Sequence, residues 1–170
     1  MKESKFQRRL SVGIFVVYLA LLIWLILFKF QTNLSMLTNH RNVNLIPYSE
    51  SMMVNGKIEL REIVYNILVF VPFGVYLHVL KPYWSLSKKV LLCIGYSLLF
   101  EVLQYLFAIG ASDITDLINN TVGAILGIGI GKLFYHLSPT KATKTLNTIA
   151  SIILFLAIAL LTILLWSNRS

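Results

Sequence analysis

Five long apolar stretches, separated by short polar ones, set the rhythm of this chain. They run from Leu10 to Phe28, Glu62 to Leu80, Lys89 to Ile109, Ile114 to Tyr135, and Thr148 to Trp166. A membrane-crossing helix needs about 20 mostly apolar residues at a rise of about 1.5 Å each, so every stretch predicts one crossing. Lys2, Lys5, Arg8 and Arg9 precede the first, in the charge order of a secretion signal. Its apolar run is too long for that and no A-x-A cleavage site follows, which predicts an uncleaved anchor. Trp24, Trp84 and Trp166, with Tyr83 and Tyr135, fall near stretch ends, where amphipathic rings settle at the membrane interface. The expected fold is all-α: a polytopic membrane protein with five transmembrane helices, forming one integral membrane domain over residues 1–170.

Composition agrees. Of the 170 residues, 57% are hydrophobic and 13% charged, with mean hydropathy +0.76, whereas soluble domains carry roughly 25% charged residues. The net charge of +8 does not point to nucleic acid, because the bases sit in short segments between apolar runs and no basic helix or aromatic-stacking module accompanies them. They act instead as topology signals. With the N-terminus in the cytoplasm, ten Lys and Arg, including Arg8, Arg9, Lys81, Lys88, Lys89 and Lys132, lie inside. Five lie outside: Lys29, Arg41, Lys57, Arg61 and Arg169. That excess predicts an N-in, C-out orientation. The single cysteine, Cys93, lies within an apolar run and has no disulfide partner in the chain.

One connection is long. Residues 31–61 carry Val43, Leu45, Ile46, Met52 and Met53, so part of this loop is expected in the interface or folded back over the helices.

The acids are the informative feature. Glu50, Glu59, Glu62, Glu101, Asp113 and Asp116, six of the seven, fall in that loop or in the outer halves of helices. Ionisable groups inside a bilayer cost roughly 2.5–3.5 kcal/mol on insertion scales, so they pair, face a cavity or carry function. Ser97, Glu101, Gln104 and Ala108 recur at helical spacing and share a face, as do Asp113, Asp116, Asn120 and Gly123. A tight turn at Gly110-Ala111-Ser112 would bring both faces together, with Glu101 level with Asn120 and Gln104 within a turn of Asp116. Asn66 joins from the second helix, with Arg61 as candidate counter-ion. The candidate ligand-binding set is Asn66, Glu101, Gln104, Asp113, Asp116, Asn120 and Arg61; within it Glu101, Asp113 and Asp116 are the candidate catalytic acids. Buried amides can also serve as bonds between helices, but three carboxylates and three amides on one membrane face exceed that need.

Other features add less. Gly123, Gly127 and Gly131 form a small-xxx-small series explained by close helix packing, and Pro72 predicts a kink in the second helix. His40, His78 and His136 are scattered, so no metal site is expected, nor any cofactor. Ser49, Ser51 and Ser112 have no histidine at a recognisable spacing, so no hydrolase triad can be argued. No oligomeric state follows from the sequence.

From Asn44 to Gly131 the chain resembles the VanZ-like family of bacterial membrane proteins. The matching pieces, in order, are Asn44-Leu45-Ile46-Pro47-Tyr48, Asn66, Phe70-Val71-Pro72-Phe73-Gly74, Glu101-Val102-Leu103-Gln104, Asp113-Ile114-Thr115-Asp116 and Asn120-Thr121-Val122-Gly123. Residues 44–131 would be the family core, with 10–28 and 148–166 as additional helices. The family pattern often has an arginine shortly before the first aspartate, where this chain has Gly110, Ala111 and Ser112; Arg61 or Arg41 would have to replace it. The resemblance implies the cell membrane of a Gram-positive bacterium and a link to low-level resistance to teicoplanin and related lipoglycopeptides. The leading expectation is a protein that binds or shields an amphipathic ligand at the outer leaflet, with membrane lipid and a lipoglycopeptide or lipid-linked wall precursor as partners. The alternative is an intramembrane enzyme acting on such precursors. A flippase and a structural partner of wall-synthesis enzymes rank behind both.

Overall fold

The computed structural model describes residues 4–28, 40–48, 53–54, 57–58, 60–107 and 109–167. Five helices carry the fold: α1 (Lys5–Phe28), α2 (Leu60–Leu80), α3 (Leu86–Phe107), α4 (Ile114–Leu137) and α5 (Ala142–Ser167). Four short strands lie between them: β1 (His40–Asn44), β2 (Met53–Val54), β3 (Lys57–Ile58) and β4 (Ile109–Asp113). All five helices are long and apolar enough to cross a membrane, and the protein is a polytopic, all-α membrane protein. α1 and α5 each begin a turn or more before their apolar stretch does, because the polar residues at Lys5–Arg9 and Ala142–Asn147 continue the helix. Much of the outer surface is apolar, with Leu91, Leu106, Phe155 and Leu156 strongly exposed. A water-soluble bundle would not leave such a surface uncovered, whereas lipid tails cover it.

α2 and α4 form the tightest pair. A Cβ at Gly123 would collide with the Ile67 carbonyl and one at Gly127 with the Val71 carbonyl, so only hydrogen at these positions lets the two backbones approach. Phe70, Phe73 and Phe100 fill the space between α2 and α3, and Phe15 of α1 packs on Phe73 with ring centroids 5.6 Å apart. α2 runs helical through Pro72, and in the turn before the proline the Tyr18 hydroxyl donates to the Val69 carbonyl at 2.8 Å. α1 and α5 are fastened by Asn147, whose Nδ2 donates to Oε1 and the backbone carbonyl of Gln7. Its Oδ1 accepts from the hydroxyls of Ser11 and Tyr76. Each such bond between membrane helices contributes about 0.6–2 kcal/mol.

The link between α3 and α4 departs from the sequence expectation. α3 stops at Phe107, and Ile109–Asp113 is extended, not a tight turn. β4 pairs in parallel with β1, in a register running from His40 opposite Ile109 to Asn44 opposite Asp113. The physical reason is local: Gly110 weakens any helix, and the long loop returns a strand that pairs with residues 109–113. The loop expected to fold back over the helices therefore does so as β1, and β2 pairs antiparallel with β3. β4 leads the chain back along α3, so α4 starts beside Glu101 and not beyond Phe107.

Candidate functional site

Asp113 organises the acidic end of the bundle. It is the N-cap of α4, and its Oδ1 accepts the backbone N–H of Thr115 at 2.8 Å, satisfying one of the donors that a helix start leaves open. Its Oδ2 accepts from the Asn44 carboxamide at 2.9 Å. Its own N–H donates to Oε2 of Glu101 at 2.9 Å, and the neighbouring Ser112 hydroxyl donates to the Glu101 carbonyl at 2.6 Å. Glu101, on α3, is thus level with Asp113 and not with Asn120, because β4 has doubled back.

The rest of the network continues down α4. Asp116 Oδ1 accepts from Nδ2 of Asn66 on α2 at 2.6 Å. Asn120 donates to the Ser97 hydroxyl on α3 at 2.9 Å. The positive end of the α4 macrodipole and these amide donors surround the carboxylates with complementary charge. Asn66, Glu101, Asp113, Asp116 and Asn120 thus each bond to another helix or to β1 along α4, in three separate groups: Glu101–Asp113–Asn44, Asn66–Asp116 and Asn120–Ser97.

One of the sequence-selected residues is placed differently. Gln104 is buried but turns to α1, where its Nε2 donates to the Ile26 carbonyl at 3.1 Å; it does not reach Asp116 as the spacing suggested. The helical period gave its face correctly relative to α3 but could not say that α1 packs there. Arg61 lies exposed on the first turn of α2, beside exposed Glu62. Arg41 sits opposite Gly110 in the strand register, and its side chain, like Glu50 and Glu59, lies outside the described residues. Among the described residues, no group of three His, Cys, Asp or Glu could hold a metal ion.

Four contributors were not assigned to the site from sequence. Asn44 holds Asp113, and its Oδ1 also accepts the Ile46 N–H at 3.1 Å, turning the chain after β1. Tyr48, at φ 55°, then docks that turn on α4. Its N–H donates to the Thr115 hydroxyl at 3.0 Å and its hydroxyl to Asn119 Oδ1 at 3.2 Å. Asn119 is 2% exposed, and its Nδ2 has no acceptor. Their signal in the sequence is the Asn44-Leu45-Ile46-Pro47-Tyr48 piece, which carries the family resemblance.

Beside this network is a cleft of about 240 Å³. Asn44, Glu101 and Asp113 border it, but the surface it presents is almost entirely apolar, from residues such as Val43, Leu98, Val102 and Leu117. A larger hollow of about 450 Å³ lies between α1, α2, α4 and α5, among residues such as Leu22, Pro72, Phe134 and Leu154. Its only polar side chains, Tyr18 and Tyr76, already bond to Val69 and Asn147. Of the two, only the smaller cleft has acidic and amide residues on its border.

A multi-pass helical membrane protein with a buried acid–amide network at one end of its bundle is the class these features define. The VanZ/LLP1 family matches over residues 15–135, from within α1 to the end of α4, a span that includes every residue of the network. The chain is 38% identical over 159 residues to Protein VanZ of Enterococcus faecium, covering 92% of this chain and 91% of that protein. The chain belongs to the VanZ/LLP1 family. No solved structure matches it.

Proposed function

We propose that this protein lies N-in, C-out in a bacterial plasma membrane and holds the polar head of an amphipathic ligand at the outer leaflet. In this reading it contributes low-level resistance to teicoplanin-type lipoglycopeptides, as the family resemblance implies, by binding or shielding the drug or a lipid-linked wall precursor. The observation that supports the reading is an apolar cleft bordered by Glu101, Asp113 and Asn44, whose polar groups a ligand head would meet at its edge. Carboxylates and amides recognise amines, hydroxyls and peptide groups, and the walls suit the first segment of an acyl or prenyl tail. At about 240 Å³ the cleft is below the roughly 300–1,000 Å³ of sites that enclose a whole drug-sized molecule. It grips a head fragment, and the rest of the ligand stays outside.

The test is deletion and complementation with susceptibility to teicoplanin and to vancomycin, which lacks the tail. Resistance lost for teicoplanin alone is the expected result. Equal loss for both would contradict a tail-dependent mechanism.

The alternative is an intramembrane enzyme acting on lipid-linked precursors, with Glu101, Asp113 and Asp116 as its acids. Each of these carboxylates accepts an N–H from a neighbouring chain segment. Incubation of purified protein with labelled precursors, with and without chelator, separates the two. Turnover abolished by Glu101→Gln would reverse the order.

A further inference from the structure

At the end of the bundle opposite the acids, Lys89 is buried. It lies on the first turn of α3, is 1% exposed, and its Nζ meets Nδ1 of His78 at 2.9 Å and the Pro82 carbonyl at 3.4 Å. Neither partner carries a compensating negative charge. The described acids Glu62, Glu101, Asp113 and Asp116 all lie at the other end, so no described carboxylate is available to Lys89. A second cation, Lys132 of α4, is close enough to act electrostatically on both His78 and Lys89, and its side chain is exposed. His78 is fixed by its ring edge against Tyr135, with centroids 5.5 Å apart, and by Gly131, whose missing side chain makes room for the imidazole. A lysine placed in a low-dielectric region with a basic neighbour and no described acid beside it is costly by itself. It becomes favourable when an anion completes it.

We infer that Lys89, His78 and Lys132 form a binding site for a phosphate group at the basic end of the α2–α3–α4 bundle. Lys132 is the exposed entry cation and Lys89 the buried one, while the imidazole, accepting at Nδ1 from the ammonium, keeps Nε2–H as a donor. The phosphate can come from an anionic phospholipid headgroup or from solution. The site is separate from the acid network and does not depend on the function proposed for it.

The experiment is thermal unfolding of the purified full chain in a neutral detergent, with phosphatidylglycerol, phosphatidylcholine or inorganic phosphate added. Phosphatidylglycerol is expected to raise Tm by about 4–8 °C near saturation, and phosphatidylcholine to leave it unchanged. Lys132→Gln should reduce the shift at least by half and Lys89→Gln should abolish it. Arg8→Gln with Arg9→Gln, which removes exposed bases elsewhere at the same end, should leave it intact. If Lys89→Gln does not fold, Lys132→Gln decides. Inorganic phosphate reproducing the shift would assign the site to soluble phosphate, and a shift with phosphatidylglycerol alone assigns it to a headgroup. No shift with either, an equal shift with phosphatidylcholine, or an undiminished shift in Lys132→Gln would overturn the inference.

Discussion

Glu101 accepts the backbone N–H of Asp113 at 2.9 Å, a bond that spans twelve residues and joins α3 to the cap of α4. It fixes how far β4 runs back along α3, and so which residues of α3 and α4 face each other. Glu101→Ala leaves the Asp113 N–H buried without that acceptor, and stability should fall by about 1–3 kcal/mol. Glu101→Gln keeps an acceptor oxygen and should stay folded, while losing the charge needed in the cleft. Tm in detergent should therefore separate Ala from Gln, whereas teicoplanin susceptibility should rise with both.

The Asn66–Asp116 bond, 2.6 Å long, ties α2 to the first turn of α4. Removing either side alone, as Asn66→Leu or Asp116→Leu, should weaken the bundle. The double variant should be less damaged than the two losses added. A double-mutant cycle is expected to give a coupling of about 0.6–1.7 kcal/mol, the range seen for hydrogen bonds between membrane helices. A coupling near zero would mean that the two side chains do not act as a pair.

Much of this architecture is written in local pattern, and the site is not. The five helices follow from hydropathy alone, since a span of about 20 apolar residues has one economical solution in lipid. β4 does not, because Ile109–Asp113 is five residues long and becomes a strand only through His40–Asn44, far away in the chain. Asn119 is hidden for the same reason: its neighbour Asn120 shares the acidic stripe, but the donor to Asn119 is Tyr48 in the loop. Gln104 was placed with Asp116 by period and instead meets Ile26 of α1, a helix whose packing the stripe could not encode. Periodicity reports which residues share a face; it does not report what covers that face.

The α2–α4 contact offers a paired test within one helix turn. Gly127 faces the Val71 carbonyl, whereas Gly129 has nothing within 4 Å of the position a Cβ would take. Gly127→Ala must push two backbones apart, at a cost of about 1–3 kcal/mol typical of overpacking. Gly129→Ala should be neutral or stabilising by up to about 1 kcal/mol through helix propensity. Comparing Tm of the two variants checks this, and equal effects would mean that α2 and α4 are not in backbone contact.

The turn after β1 is held on α4 by two bonds from Tyr48, one to Thr115 and one to Asn119. Thr115→Val preserves shape and removes the acceptor of the Tyr48 N–H; Tyr48→Phe removes the other bond. Each should cost about 1 kcal/mol and loosen the turn more than the bundle. Amide exchange at Ile46 and Tyr48 is expected to accelerate roughly fivefold for each lost kcal/mol, while amides in the middle of α4 keep their rates. Faster exchange throughout α4 would show that the turn is required for the helix itself.

Orientation decides which side of the membrane the acid network serves, and two exposed residues can report it. Tyr83, 98% exposed, lies in the short connection between α2 and α3 at the basic end. Leu45, 73% exposed, lies in the turn after β1 at the acidic end. The native Cys93 is buried, so it contributes little background to thiol labelling. Under the N-in reading, a membrane-impermeant maleimide applied to intact cells should label Leu45→Cys and spare Tyr83→Cys, with Tyr83→Cys labelled only after the membrane is opened. The reverse result would place Glu101, Asp113 and Asp116 toward the cytoplasm. A lipoglycopeptide head arriving from outside could then not reach them, and the proposed shielding role would fall with the orientation while the network geometry stood.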